Sequence, residues 1–253
     1  MKIAVCLSGQ LRTAPMCGRR IVDFFENYDV DYFIHTWKQE FEFTRNSDRL
    51  NVKNFLKDVD ESKFEAVKSI FNPKKSKWED SITFVLPSAQ PQQYSFYQAN
   101  ELRKQYEKES GIKYDLVVKL RFDIIWEPKK SFSVPENFDD SSLYVSMIDT
   151  SQVHPRLLDR FFFCGPSTMD ELAKITHFTN KNVSDIFSGQ MKVKNYKEFL
   201  CPEEQLFYFA RQQNIGVKCH GMMECIVRSN ASHLNVYDDF SEIDKLSYQF
   251  YKS

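Results

Sequence analysis

The stretch Tyr114–Trp126, YDLVVKLRFDIIW, decides how this chain reads. Side chains alternate across a strand. In Leu116–Ile124 the even positions are Leu116, Val118, Leu120, Phe122 and Ile124, and the odd ones from Asp115 on are Asp115, Val117, Lys119, Arg121 and Asp123. One face is wholly apolar. The other carries three charges in succession, at Lys119, Arg121 and Asp123. Unpaired buried charges are too costly to keep. If the strand is central, its charged face lines a wet, functional cleft. The alternative is a half-exposed strand with a solvated face, or an internal Arg–Asp pair.

The segments before this strand alternate in type. Residues 2–7, KIAVCL, form a short apolar run closed by Ser8-Gly9, the pattern of a buried parallel strand. Residues 15–27 predict a helix with Pro15 in its first turn and Ile21, Phe24 and Phe25 on its apolar face. DYFIHTW (31–37) predicts a second strand. Residues 38–60 read as polar and irregular. Glu61–Phe71 predicts a helix with Phe64, Val67 and Phe71 on one stripe and Asn72-Pro73 as its stop. SITFVL (81–86) predicts a third strand, and Gln92–Ser110 a long helix stopped by Gly111. Strands alternating with helices predict an α/β fold with a mostly parallel central sheet flanked by helices. Beyond it, Leu143–Ile148 and Arg160–Cys164 predict strands, Ser167–Thr179 and Pro202–Gln213 helices, Gly216–Val227 a strand or hairpin, and Glu242–Tyr251 a terminal helix.

Composition narrows the function classes. The 253 residues are 42% hydrophobic and 15% aromatic, too apolar for a disordered chain. Lys+Arg number 34 and Asp+Glu 35, so the chain lacks the basic excess of a dedicated nucleic-acid binder. Only 7 Gly argue against a Gly-rich phosphate loop. The length allows one large domain or two small ones. No repeat, linker or composition shift divides it, so one domain is expected. The N-terminal apolar run is too short for a secretory segment, and no run approaches the roughly 20 residues that span a membrane. A cytoplasmic protein is expected. The six cysteines, Cys6, Cys17, Cys164, Cys201, Cys219 and Cys225, contain no CxxC pair and read as scattered core residues. The sequons at Asn182 and Asn230 carry little without a secretory route.

In open α/β sheets ligands bind beyond the carboxyl ends of the strands. That rule selects Ser8–Thr13 (SGQLRT), His35–Trp37 and Arg121–Ile125. A strand followed by Ser-Gly and a basic residue can offer backbone N–H groups and a cation to a phosphate. SGQLRT is neither GxGxxG nor a Walker A loop, which disfavours a dinucleotide or P-loop enzyme, and a plain tight turn explains Gly9 equally well. A carboxylate at a strand end can hold Mg²⁺ or Mn²⁺ together with phosphate oxygens. His220 and His233 could complete a metal site from the second half, although no ligand spacing sets them apart from ordinary core or surface histidines. The aromatic runs Phe161–Phe163 and Phe207–Phe209 fit core packing better than a sugar-stacking surface.

Taken in series, SGQLRT, FIHTW, YDLVVKLRFDIIW, DRFFFCG and PEEQLFYFARQQNI resemble a group of glycosyltransferases with a GT-A-like fold. They occur in large DNA viruses, phages and bacterial surface-polysaccharide clusters. The resemblance spans roughly residues 1–215. It implies a single domain with a nucleotide-binding half (1–126) and an acceptor-side half (127–253). It also implies sugar transfer from a nucleotide-sugar to a glycan or glycoprotein. In such enzymes a D-x-D motif at a strand end holds a metal on the diphosphate. Here Arg121-Phe122-Asp123 stands in its place, so Asp123 alone maps onto a carboxylate for Mn²⁺ or Mg²⁺, and Arg121 could contact the phosphates directly. Ser8, Gly9, Gln10, Arg12, His35, Thr36, Trp37 and Lys119 would surround the nucleotide, with Trp37 either stacked on the base or packed in the core. Asp159 and Glu203 are the candidates for taking a proton from the acceptor hydroxyl. Acidic residues in a first helical turn are also ordinary dipole partners. Two other functions stay open: a sulfotransferase-like enzyme with SGQLR as its phosphate loop, and a non-catalytic carbohydrate-binding protein.

Overall fold

The computed structural model describes residues 1–42, 55–80, 89–126, 129–149, 155–180, 202–222 and 224–226. In chain order the first half runs β1 (Lys2–Gly9), α1 (Ala14–Phe24), β2 (Asp29–Trp37), β3 (Gln39–Glu42), β4 (Phe55–Asp58), α2 (Glu61–Phe71), β5 (Lys75–Glu79), α3 (Ala89–Ser110), β6 (Leu116–Leu120) and β7 (Ile124–Trp126). The second half runs β8 (Ser142–Val145), β9 (Ile148–Asp149), β10 (Arg156–Leu157), β11 (Phe161–Cys164), α4 (Pro166–Ala173), α5 (Pro202–Gln212), β12 (Gly216–Cys219) and β13 (Glu224–Ile226). Among the described residues no helix is long and apolar enough to cross a membrane.

Among the described residues seven strands form the main sheet, in the order β12-β8-β11-β6-β1-β2-β5. The pairs β12–β8, β6–β1, β1–β2 and β2–β5 are parallel, and only β11 runs against its neighbours β6 and β8. The expected α/β architecture with a mostly parallel, helix-flanked sheet is therefore what forms. β1 lies inside the sheet, with Ile3 to Ser8 buried on both faces. That burial explains its unbroken apolar run. Ile3, Val5 and Leu7 face the side covered by α1 and α2, with Ile21, Phe24, Val67 and Phe71. Ala4, Cys6 and Phe33 face the side of α3, α4 and α5, with Phe96, Ala99, Met169 and Leu206.

α2 matches its predicted bounds. The Asp60 side chain accepts from the Ser62 N–H at its start, and Asn72 adopts the left-handed conformation (φ 42°) at its end. Phe161, Phe162 and Phe163 are buried core residues, as expected. In three places the structure departs from the expectations or adds to them. The third parallel strand is Lys75–Glu79, pairing with Phe33–Trp37, whereas the expected strand at 81–86 lies outside the described residues. Among the described residues β5 is an edge strand, half-buried throughout, and an edge favours charged residues over an apolar run. Residues 39–42 and 55–58 pair as an antiparallel ribbon inside the segment read as irregular. Over Gly216–Val227, expected as a strand or hairpin, two strands form, and they pair with β8 and β7 rather than with each other. The expected helix at 242–251 and the sequons at Asn182 and Asn230 lie outside the described residues.

Cys6, Cys17 and Cys164 are buried and Cys219 is exposed, all as free thiols. Burial pushes the Cys6 and Cys17 thiols up to about 12, so both stay protonated core groups. Cys201 lies outside the described residues.

Gly165 precedes α4 where the chain touches Asp140. A Cβ there would stand 2.5 Å from the Asp140 Cβ and 2.6 Å from its carbonyl oxygen. Gly165→Ala is expected to lower the unfolding free energy by about 1–3 kcal/mol. Urea denaturation against the wild type checks this, and an unchanged midpoint would show that the contact relaxes without cost.

Candidate active site

β1, β2 and β6 are parallel, so their carboxyl ends share one rim of the sheet. From β1 the chain steps outward to β2 and β5, and α3 then returns it to β6 on the other side of β1. The junction of β1 and β6 is thus a topological switch point, where open α/β sheets bind ligands. Two turns meet there, the SGQLR turn after β1 and the Arg121-Phe122-Asp123 turn after β6.

The strand ends at Leu120, the Arg121 N–H bonds to the Arg160 carbonyl (3.1 Å), and regular pairing resumes only at Ile124. The expected alternation therefore stops at Leu120, and Arg121 and Asp123 project from a turn rather than from a strand face. Asp123 is 2% exposed and held from two sides. Arg121 grips it with Nε on Oδ1 (2.9 Å) and Nη2 on Oδ2 (2.6 Å), while Arg12 places Nη1 on Oδ2 (3.0 Å). Burial alone would raise the Asp123 pKa, but the two guanidiniums outweigh it and hold the carboxyl below the usual range. Burial would likewise lower the Arg121 pKa, and Asp123 reverses that shift. The internal Arg–Asp pair and the strand-end charge cluster are one structure.

The SGQLR turn is built by backbone conformation. Gly9 has φ +115°, a region L side chains rarely adopt, and Arg12 lies at φ +36°. Two of its amides are already bonded. The Gly9 N–H donates to Ser95 Oγ (2.8 Å), and the Arg12 N–H to Glu40 Oε1 (2.5 Å), which also accepts from Lys63 Nζ (2.9 Å). Gln10 Oε1 accepts from Arg12 Nε (3.0 Å) and steadies that side chain. The Ser8 hydroxyl is buried at the strand end with no partner among the described residues, and so is that of Thr36.

His35, Thr36 and Trp37 are buried at the end of β2. His35 Nε2 lies 2.8 Å from Glu79 Oε1, and Nδ1 lies 2.8 Å from Ser95 Oγ. Burial lowers the His35 pKa to about 4, so the ring is neutral at pH 7. A neutral ring beside a carboxylate donates from Nε2, and Nδ1 then accepts from the Ser95 hydroxyl. One chain of bonds runs from the Gly9 amide through Ser95 and His35 to Glu79 and Lys77. Trp37 packs edge-on against His35 and stacks on Tyr94 (5.5 Å between centroids). Of its two expected roles, the geometry is that of core packing.

Lys119 points to the α3 side. Its ammonium donates to the Asp159 carbonyl and lies 5.4 Å over the Phe162 ring. Burial lowers its pKa to about 8. Gln92 donates to the Asp159 carboxylate, whose pKa is raised by burial. Gln92, Gln93, Lys119, Asp159, Pro202 and Leu206 line a small, half-open pocket. Glu203, half-buried at the start of α5, acts electrostatically on Lys119, Arg121 and Asp159. The neighbouring Glu204 instead points inward and accepts from Arg156 Nε (2.8 Å). The fold therefore gathers Arg12, Lys119, Arg121, Asp123, Asp159 and Glu203 into one electrostatic cluster. His220 packs against Phe161 and Phe163, away from any ligand set, and His233 lies outside the described residues.

The donor set tests the expected Mn²⁺ or Mg²⁺. Asp123 accepts three guanidinium hydrogen bonds on its two oxygens. A dication there would face two cations at contact distance. Among the described residues no group of three or more His, Cys, Asp or Glu side chains can hold a metal ion. The residues present do not fit a divalent cation at Asp123.

Sequence reading did not single out Glu40, Glu79, Gln92 or Ser95. Each acts across elements distant in the chain, and only Ser95, spaced for the inner face of α3, leaves even a faint periodic trace.

No protein-family model matches the sequence, and no curated protein matches it. Solved structures do. A glycosyltransferase involved in glycosylation of the major capsid of PBCV-1 is similar at 10% identity, covering 87% of this chain and 82% of that one, with a TM-score of 0.42. The galactosyltransferase LgtC in complex with donor and acceptor sugar analogues is similar at 9% identity over 86% of this chain and 73% of that one, with a TM-score of 0.46. An active-site mutant of LgtC is similar at 10% identity over 86% and 72%, with a TM-score of 0.46.

The buried imidazole sets a pH dependence. The His35 pKa falls from 6.5 to about 4 on folding. The unfolded chain then binds the proton more readily, so this contribution is complete above about pH 6.5 and is lost as pH falls toward 4. His220, also lowered to about 4 by burial, acts in the same direction. Asp159 and Glu224, raised by burial, act in the opposite one. Comparing wild type with His35→Gln isolates the His35 share, expected at up to about 3 kcal/mol between pH 7 and 4. Denaturation midpoints that track in parallel for both proteins would refute the assignment.

Proposed function

We propose that this chain is a glycosyltransferase that takes a sugar from a nucleotide-sugar and passes it to a glycan or glycoprotein acceptor, acting in the cytoplasm. The observation that carries the reading is the pair of guanidiniums, Arg12 and Arg121, held together at the switch point between β1 and β6. The sequence resemblance set out above points the same way. When the bond between the sugar and the phosphate breaks, the leaving nucleoside diphosphate gains negative charge. Preorganised cations at that point stabilise the transition state. Arg12 and Arg121 supply them, Ser8, Gly9 and Gln10 shape the turn that carries Arg12, and His35, Thr36 and Trp37 support that turn from β2.

On the acceptor side, Glu203 is the residue we assign to take the proton of the attacking hydroxyl, because it is half-exposed and within electrostatic reach of Arg121. Asp159 lies deeper, bonded by Gln92, and with Lys119 forms the inner wall beside it. A phosphate loop made of SGQLR backbone amides, as a sulfotransferase-like reading needs, finds the Gly9 and Arg12 amides already bonded.

A thermal-shift panel tests the reading. One nucleoside diphosphate or its sugar conjugate at 100 times its Kd is expected to add about 2.7 kcal/mol of stability, a rise of several degrees in Tm. Arg12→Ala should remove most of that rise. A response confined to 3′-phosphoadenosine 5′-phosphate would favour the other transferase class. A response confined to free glycans would favour a carbohydrate-binding protein, and no response to any nucleotide would overturn the proposal.

A further inference from the structure

We infer that Arg12 and Arg121 together take the place of a divalent cation in this chain, and that Asp123 is a positioning residue for the two guanidiniums rather than a metal ligand. The inference rests on the reading of the site as a nucleoside diphosphate site. It goes further by naming how the diphosphate charge is met and by removing the metal from the account.

Three observations carry it. The first is the saturation of Asp123. It is 2% exposed, and its two oxygens already accept from Arg121 Nε, Arg121 Nη2 and Arg12 Nη1. A carboxylate offers about four lone-pair sites, so little acceptor capacity faces anything else. The second is the donor edge that Arg121 keeps open. Asp123 occupies the Nε and Nη2 edge of Arg121, and among the described residues the Nη1 end of that fork makes no bond. The Arg121 side chain is 15% exposed and that of Arg12 19%, so both keep partial access to solvent from a buried anchor. A guanidinium fixed along one edge presents the planar donor geometry that matches phosphate oxygens. The third is the supporting side of the SGQLR turn. The Gly9 and Arg12 amides are bonded to Ser95 and Glu40, so this turn offers its charge through a side chain rather than through those two amides. The buried Ser8 hydroxyl, without a partner beside that turn, adds one uncharged donor at the strand end.

Asp123 thus does for two arginines what a cation-binding carboxylate does for a metal. It fixes positive charge at the point where two strand ends meet. Arg121 and Arg12 come from turns more than a hundred residues apart in the chain, and Asp123 holds both on one carboxyl group.

Calorimetric titration of the full chain with UDP, GDP, ADP, CDP and dTDP, in EDTA and again in MnCl₂ or MgCl₂, tests the inference. The nucleotide that binds is expected to do so in EDTA, with a Kd within about threefold of its value with metal, because the guanidiniums are the charge partners. Arg121→Ala and Arg12→Ala are each expected to weaken that Kd by about tenfold or more, and Arg121→Lys to recover only part of it, since an ammonium lacks the fork. Asp123→Asn is expected to weaken binding while leaving it indifferent to Mn²⁺. That indifference separates a positioning carboxylate from a metal ligand, and Arg121→Lys, which keeps the charge but loses the fork, reports on the positioning itself. Binding that appears only with Mn²⁺ or Mg²⁺, and disappears in Asp123→Asn, would overturn the inference while leaving the nucleotide site standing. Binding of none of the five nucleotides in either condition would overturn the nucleotide reading itself. The wild-type comparison of EDTA with metal decides between these outcomes even if a variant fails to fold.

Discussion

The structure turns on one buried carboxylate, Asp123, shared between Arg121 and Arg12. A charge this deep is tolerable only when it is paired and hydrogen-bonded. Here that requirement fixes the relative position of two turns that the sheet brings to the same rim. Such an ion pair adds little stability over well-packed apolar residues of the same size. Removing one partner is a different matter, at about 3–5 kcal/mol, because the others are left buried and unmatched. The constraint therefore acts mainly as a specification. It sets where the chain leaves β6, where the SGQLR turn lies against β1, and where positive charge gathers at the strand ends.

The second organising element is α3. Its inner face is polar to an unusual degree for a helix packed on a sheet. Gln90, Gln93, Ser95, Asn100 and Arg103 are all buried. Each bonds to a residue outside the helix. Ser95 joins the Gly9 amide to His35, Gln93 bonds Gln205 of α5, and Arg103 reaches Asp170 of α4 while bonding Asn100 and Glu107 within the helix. Buried polar groups of this kind are stable only when fully partnered, and such partnering rigidifies the elements it joins. α3 thus ties the strand-end rim to the helices of the second half, and the pocket beside Asp159 lies at its N-terminal end.

Much of the frame was legible from residue order. The unbroken apolar run of β1, the wholly apolar face of β6 and the aromatic-rich β2 announced inner strands, and the stripe of Phe64, Val67 and Phe71 with Asn72 after it announced α2 with its bounds. β5 was not legible, because an edge strand needs no apolar run and KSKWE shows none. The break after Leu120 was not legible either. The alternation of apolar and charged residues continues through Asp123 as though the strand did, whereas the pairing with β11 runs out and the chain turns at residues 122–123. The partners of the site were hidden for a similar reason. Glu40, Glu79 and Ser95 are ordinary surface-type residues until the fold sets them against Arg12, His35 and Gly9.

By itself, then, the sequence determined an alternating α/β chain, a mostly parallel sheet, and the strand ends where charge would gather. Those properties depend on local pattern, and burial of an apolar stripe or run is read directly from spacing. The pairing of Asp123 with Arg121 was open to sequence reading, but its second arginine was decided by tertiary structure alone. Whether Asp123 faces solvent, a cation or two arginines depends on a contact between residues 111 positions apart. No local preference encodes that distance. It follows from the order of strands, which places the end of β6 beside the end of β1, and from the cost of leaving a buried carboxylate without partners.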